Sequence, residues 1–183
     1  MNRKDIVDSI SLNIQNKHTV NHMLSAEAIM RALARYLGED EEEWGLTGLF
    51  HDIDLELVEN DFNRHGILGA DIARDMGATE AMCHAILCHN EVHGIPRDSL
   101  LDKALFCADP LTGLIVASAL VRPDKKLAGV DIKSLRKRFK EKRFAAGADR
   151  EQIALCHEIG MELEDFLSLG LKAMQETAPQ LGL

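Results

Sequence analysis

The chain has 183 residues, 46% hydrophobic and 28% charged, long enough to bury a core and too apolar to be disordered throughout. A net charge of −9 and a pI near 5.3 argue against nucleic acid as a general partner. Aromatic residues make up 4%, so the core falls to Leu, Ile, Ala and Met, which favours packed helices over a sandwich of strands.

Taken in order, Asn2 to Ile14 carries Ile6, Ile10, Leu12 and Ile14 among polar residues and reads as a short amphipathic helix. Asn21 is placed to cap a second helix with Leu24 to Leu37 as its body, and Gly38 stops it. Acidic residues from Glu39 open a third helix, about Glu41 to His51, in which Thr47 and Gly48 leave room for a close approach. Asp54 to Phe62 reads as loop or short helix. His65-Gly66 opens a fourth helix closing at Gly77, and Thr79 caps a fifth that runs to about Asn90, with His84 off its apolar stripe. Asp98 or Ser99 caps a long apolar helix, Leu100 to Val121, which Pro110 is expected to kink or interrupt. Arg122 to Arg143 holds ten Lys or Arg against three acids, a local net of +7 in a chain otherwise at −16, with a short helix near Ile132 to Phe139. A final helix is expected from Arg150 to about Thr177, with His157 structural.

No strand alternation, internal repeat or low-complexity tract interrupts this pattern. The sequence therefore predicts one all-α domain of about seven to nine helices over residues 1–183. Cys83, Cys88, Cys107 and Cys156 lack C-x-x-C spacing and read as reduced core thiols. No signal peptide and no membrane-spanning apolar run is read from the sequence, so the expected location is the cytoplasm.

Six polar residues stand out against the apolar stripes. His22 continues the stripe of Ala26, Ile29, Met30 and Leu33. His51 and Asp52 end the third helix, His65 precedes the fourth, and His89 ends the face of Met82, Ala85 and Ile86. Asp109 follows Leu101 and Leu105 at successive i, i+4 positions. His22 alone would read as a ring satisfied by a backbone carbonyl. Six such groups on core-directed faces are costly to bury unless a metal satisfies them. Neutral imidazole and carboxylate are ligands for Fe, Mn, Zn or Co, and packed helices can bring them together.

In this order, Asn21-His22-Met23-Leu24, Leu49-Phe50-His51-Asp52, His65-Gly66 with Gly69-Ala70, Ala85-Ile86 with His89, and Ala108-Asp109 resemble the HD superfamily of metal-dependent phosphohydrolases. The resemblance covers about residues 21–120 and leaves 121–183 as a C-terminal helical extension. The stretch from Asp109-Pro110-Leu111 onward looks like small stand-alone bacterial HD proteins. The family pattern implies that His22, His51, Asp52 and Asp109 hold one metal, and that Asp52, the catalytic bridge, reaches a second held by His65 and His89. One or two divalent transition metals are implied, Fe or Mn first, with Zn, Co, Ni or Mg open.

The implied activity is attack of a metal-activated hydroxide on the phosphorus of a phosphoester, in a nucleotide or other small phosphorylated metabolite. Arg122, Lys125 and Lys126 are the candidate phosphate holders, and the plainer reading of that segment is a solvated helix face. Asp54, Glu91 and His93 are either proton shuttles or surface groups. The chain departs from the family in having Asp54 where Gly is common, and His89-Asn90 where some dinuclear members have paired histidines. Three other readings stand beside the hydrolase: an HD-type mixed-valent di-iron oxygenase, a non-catalytic metal- or nucleotide-binding module, and an RNA-binding adaptor using the basic segment. The expected partner is a small phosphorylated substrate, without nucleic acid or membrane; oligomeric state is left open.

Overall fold

Single punctuating residues set the element order in the computed structural model, which describes residues 3–183. α1 (Arg3–Asn13) buries Ile6 and Ile10, and Arg3 ties it to the next helix through paired contacts with the buried Glu27 carboxylate, 2.7 and 2.9 Å. α2 (Lys17–Leu37) begins earlier than the sequence suggested. Its cap is Asn16, whose side chain accepts from the His18 N–H, while Asn21 donates to the Leu181 carbonyl. His22 therefore sits inside a helix rather than at its entry. Gly38, with φ +78°, ends α2 as expected.

α3 (Glu41–Phe50) is capped by Asp40, with three acidic residues in its first turn where the helix dipole favours them. α2 and α3 pack closely because Gly48 has no side chain. A Cβ there would stand 2.8 Å from the Ala26 carbonyl oxygen, closer than real Cβ contacts allow. The space left at Gly48 is filled by the α2 backbone.

Residues 51–66 run as successive turns into α4 (Ile67–Asp75), and Gly66 takes φ +87° at its entry. α5 (Glu80–Cys88) carries the predicted Thr79 cap. Residues 89–99 return to α6 (Leu100–Leu120), which Ser99 and Asp102 open with a reciprocal capping box.

α6 continues through Pro110 without interruption. Proline removes one N–H and frees the carbonyl four residues back. That carbonyl, on Phe106, accepts from the Gln152 side-chain amide at 2.7 Å, so the missing bond is supplied from the C-terminal region. α6 is also long and apolar enough to cross a membrane by length and composition, contrary to the sequence expectation. About 61% of its apolar window is buried within the protein.

The basic segment contains α7 (Ile132–Lys140), close to its predicted bounds. The predicted final helix is divided. α8 (Arg150–Ala154) passes into a 3-10 turn, Leu155–Ile159; Gly160 then adopts φ +75°, which a continuing helix cannot use. α9 (Leu163–Glu176) and the four-residue α10 (Ala178–Leu181) follow. The described residues thus form ten α-helices, one more than the upper end of the expected seven to nine, and no strand.

The core has two parts. One packs α2 and Trp44 against α6, α9 and the turns of the C-terminal region; the other packs α1, α3, α4 and α5 around Phe50, Met23 and Leu49. Gly48→Ala should lower stability by about 1–3 kcal/mol, because the added methyl must push α2 away from α3. Urea unfolding followed by circular dichroism would read this, and an unchanged midpoint would mean that the helices part freely there.

Candidate metal centre

The residues singled out above come from different elements. His22 lies in α2, His51 and Asp52 just beyond α3, His65 just before α4, His89 just beyond α5, and Asp109 midway along α6. A helix end leaves carbonyls without partners. At α3 the His51 Nδ1–H fills one such position, donating to the Gly48 carbonyl at 2.8 Å. At α5 the His89 Nδ1–H does the same to Ile86 at 2.5 Å. Each bond fixes the tautomer and leaves the Nε2 lone pair facing inward.

The other two rings are oriented by side chains. The Thr112 hydroxyl donates to the Asp109 carbonyl at 2.7 Å, so its oxygen accepts from the His22 Nδ1–H at 2.8 Å. His65 Nδ1–H donates to Asp54 Oδ1 at 2.8 Å. Asp54 is fully buried, and its other oxygen accepts from the Gly66 and Gly69 N–H groups, both at 2.8 Å. Asp54 is neither a surface group nor a proton shuttle to solvent; it fixes the His65 ring, and the Gly-to-Asp departure has this physical content.

The four Nε2 atoms and two carboxylates then meet. His22 Nε2 is 3.0 Å from His51 Nε2, 3.0 Å from Asp109 Oδ1 and 3.3 Å from Asp52 Oδ2. His65 Nε2 is 3.1 Å from His89 Nε2 and 3.3 Å from Asp52 Oδ1. Asp52 Oδ1 is also 3.4 Å from His51 and 3.6 Å from His89. His22, His51 and Asp52 form one group able to hold a cation, and Asp52, His65 and His89 form another, with Asp52 common to both. With each Nδ1–H donating to a fixed acceptor, neutral rings leave only Nε2 lone pairs in this space. Such a donor set fits divalent metal ions.

Without a cation, protons take that place. Burial works against a charged His22, but Asp109 and Asp52 prevail and raise it to about 10. His65 is likewise raised to about 9, against burial, by Asp52 and Asp54. Burial lowers His51. Asp52 is held well below the usual carboxylate range, although burial opposes this, by His51 and the rings bonded to it.

A cleft of about 390 Å³ opens onto the centre, with Asp52, His65, His89 and Asp109 on its floor and Phe62, Asn90, Val92 and Gln152 on its walls. A larger hollow, about 640 Å³ beside Tyr36, Met161 and Leu169, has no such convergence of donors. Among the residues lining the cleft there is no Lys or Arg. Arg122 pairs with Asp124 at 3.0 Å, and Lys125 and Lys126 are exposed in the turn after α6. Glu91 is exposed at the cleft, while the His93 ring contacts the His65 carbonyl at 2.7 Å. The Asn90 amide donates to the Phe62 and His65 carbonyls, so it braces the segment bearing His65.

Residues 19–114 match the family described as HD domain. The chain belongs to the HD domain family. Similar curated proteins include Ribonuclease Y of Oleidesulfovibrio alaskensis, 30% identical over 98 residues, which is 54% of this chain and 18% of that protein. Ribonuclease Y of Lawsonia intracellularis is 32% identical over 92 residues, 49% of this chain and 18% of the relative. Ribonuclease Y of Pelobacter propionicus is 30% identical over 105 residues, 56% of this chain and 20% of the relative. The chain thus spans about a fifth of the length of these relatives. No solved structure matches it.

Thr112 and Gln152 were not singled out from sequence. Thr112 sits three residues after Asp109, a spacing that places it on the same face of α6, and this was the available signal. Gln152 had none.

Two outcomes follow. Metal uptake at pH 7 should release about one proton per ion, since His22 and His65 must give up their Nε2 protons. Calorimetry in buffers of different ionisation enthalpy reads that number, and no release would contradict the protonated apo centre. Thr112→Val should weaken metal binding on the order of tenfold, because the His22 Nδ1–H loses its acceptor; equal affinity would assign Thr112 to packing alone.

Proposed function

We propose that this HD domain protein is a metal-dependent phosphohydrolase whose His22, His51, Asp52, His65, His89 and Asp109 hold one or two divalent ions, Fe or Mn first. The observation that carries the reading is the convergence of four fixed imidazole lone pairs on a shared carboxylate at the floor of an open cleft. Metal held there supplies an acidified water and neutralises charge developing on phosphoryl oxygens. The chain's own residues prepare for this. Carbonyls of Gly48 and Ile86 keep His51 and His89 in the metal-binding tautomer, Thr112 and Asp54 orient His22 and His65, and Asp52 stands between the two groups.

The substrate is proposed to be a nucleotide or other small phosphoester, with its reacting phosphoryl group on the floor. Phe62 and Val92, both more than half exposed, offer apolar walls to the remainder. With no Lys or Arg along the cleft, the metals themselves would carry the anion recognition. This favours one phosphoryl group in the site over a polyphosphate; Arg122, Lys125 and Lys126, which do not line the cleft, would then have no direct grip on it. Free thiols fit a reducing cytoplasm.

A second reading has its own support. The similar proteins are named for a ribonuclease, and exposed Lys133, Lys137 and Lys140 line one side of α7. An RNA phosphodiester would then be the substrate, and binding would weaken steeply with salt.

Turnover of the metal-loaded protein on phosphomonoesters, nucleotides and short RNA tests both. Asp52→Ala should cost about a thousandfold or more in kcat/KM, whereas the exposed His157→Ala should leave turnover unchanged. Full metal content and activity in the Asp52 variant would sink the proposal. Two irons with oxygen consumption and no phosphate release would replace it with the oxygenase.

A further inference from the structure

A second cluster of ligand-type side chains lies outside the centre just described. His84 and Cys88 are one helical turn apart on α5, and Asp102 lies in the first turn of α6. The three offer a ring nitrogen, a sulfur and a carboxylate oxygen, all within 4.8 Å of one another. His84 Nδ1 is 3.1 Å from Asp102 Oδ2.

Two observations separate this cluster from a plain helix cap. Asp102 Oδ2 already serves the cap, accepting from the Asp98 and Ser99 N–H groups at 3.0 and 2.9 Å. The other oxygen, Oδ1, is buried and has no hydrogen-bond partner among the described residues. A carboxylate oxygen that has left water without gaining a donor is rare in folded proteins. The second observation is the company it keeps. Asp102 and Cys88 are each about 1% exposed, while the His84 side chain is 41% exposed and leaves an entry from solvent. Arg97 is the cation nearby, and its guanidinium is engaged over the Phe106 ring at 3.6 Å rather than with the free oxygen.

We propose that His84, Cys88 and Asp102 form a separate cation site that takes a single borderline-soft transition-metal ion such as Zn²⁺. Sulfur, nitrogen and oxygen in one set select such an ion, whereas the HD centre offers nitrogen and oxygen only. Binding replaces the Cys88 thiol proton, which leaves to solvent, and the remaining positions are filled by water through the open His84 side. The ion joins α5, which positions His89, to α6, which carries Asp109. It also closes the base of the loop 89–99, whose Asn90, Glu91 and Val92 wall the cleft. The role is to hold two elements of the centre at fixed separation, without contact with substrate.

Co²⁺ titration of the reduced, metal-free full chain tests this, because only a thiolate ligand gives a sulfur-to-cobalt charge-transfer band in the near ultraviolet. The HD centre contains no sulfur, so the band reports the second site alone, whatever the HD centre binds. The wild type should show it, Asp52→Ala should retain it, and Cys88→Ser should abolish it. His84→Ala, a change at a partly exposed ring, should weaken the apparent Co²⁺ affinity at this band on the order of tenfold or more. No band in the wild type, or a band that survives in Cys88→Ser, overturns the proposal. If Cys88→Ser does not fold, the His84 variant decides, and an unchanged band at unchanged affinity overturns it equally.

Discussion

The structure depends on one electrostatic constraint: acceptor atoms face one another at about hydrogen-bond distance with no neutral donor between them. His22 and His51 approach at 3.0 Å through their Nε2 atoms, and His65 and His89 at 3.1 Å. In each case Nδ1 already has a fixed acceptor. Lone pairs so placed repel unless a positive charge lies among them, and burial lets little solvent screen the repulsion. A proton or a metal ion must therefore be present for the fold to close around Asp52. With His22 raised to about 10 and His65 to about 9 by the neighbouring carboxylates, protons on these two rings meet the constraint at neutral pH.

The rest of the helix packing follows from bringing those rings together. His51 must reach the ring of His22 across the α2–α3 contact, and that contact is close because Gly48 lets the Ala26 backbone approach. Asp109 must come from the middle of α6, where a proline at the next position leaves a carbonyl unbonded. Gln152 supplies that bond and also lines the cleft. The C-terminal region is thus joined to the centre by a side chain that stabilises α6 and helps shape the cleft, which a separate appendage would not do. Asn21 adds a second connection, through its bond to Leu181.

Much of this was legible in the sequence because helix periodicity and caps are local. Gly38, Thr79, Ser99 and the apolar stripes locate α2, α5 and α6, and the order of the histidines and aspartates locates the centre. The failures arise where the deciding contact is not local. Asn16 and Asn21 are equally good caps by residue type, and only the packing of α2 along its full length chooses the first. Pro110 reads as an interruption because its rescue lies 42 positions away in Gln152. Gly160 ends a helix by adopting the left-handed conformation, yet glycine within a helical pattern is also tolerated, so the residue alone does not decide. Asp54 reads as a surface acid because its three partners, His65 and the Gly66 and Gly69 N–H groups, assemble only when the turns after α3 fold back.

The electrostatics of the centre also account for the unlined cleft. Neutral rings contribute no charge, so Asp52 and Asp109 are the only negative groups among the six converging residues. Divalent ions at both positions would leave an excess of positive charge on the floor, in a setting where burial keeps its field strong. A phosphoryl anion would neutralise that excess, and a Lys or Arg on the wall would add to it. The absence of basic side chains from the cleft is then consistent with anion binding, because cations held by the six residues would lie at its bottom. The basic segment after α6 needs another explanation, either a solvated face or a contact with the distant part of a longer polyanion. Within the cleft, the exposed Phe62 and Val92 would give selectivity an apolar character, while metal held beside Asp52 would attract the phosphoryl group of the proposed substrate. On the proposed reading, this division of labour would put recognition of the leaving group in residues 60–62 and 90–92, and the chemistry in the rings beside them.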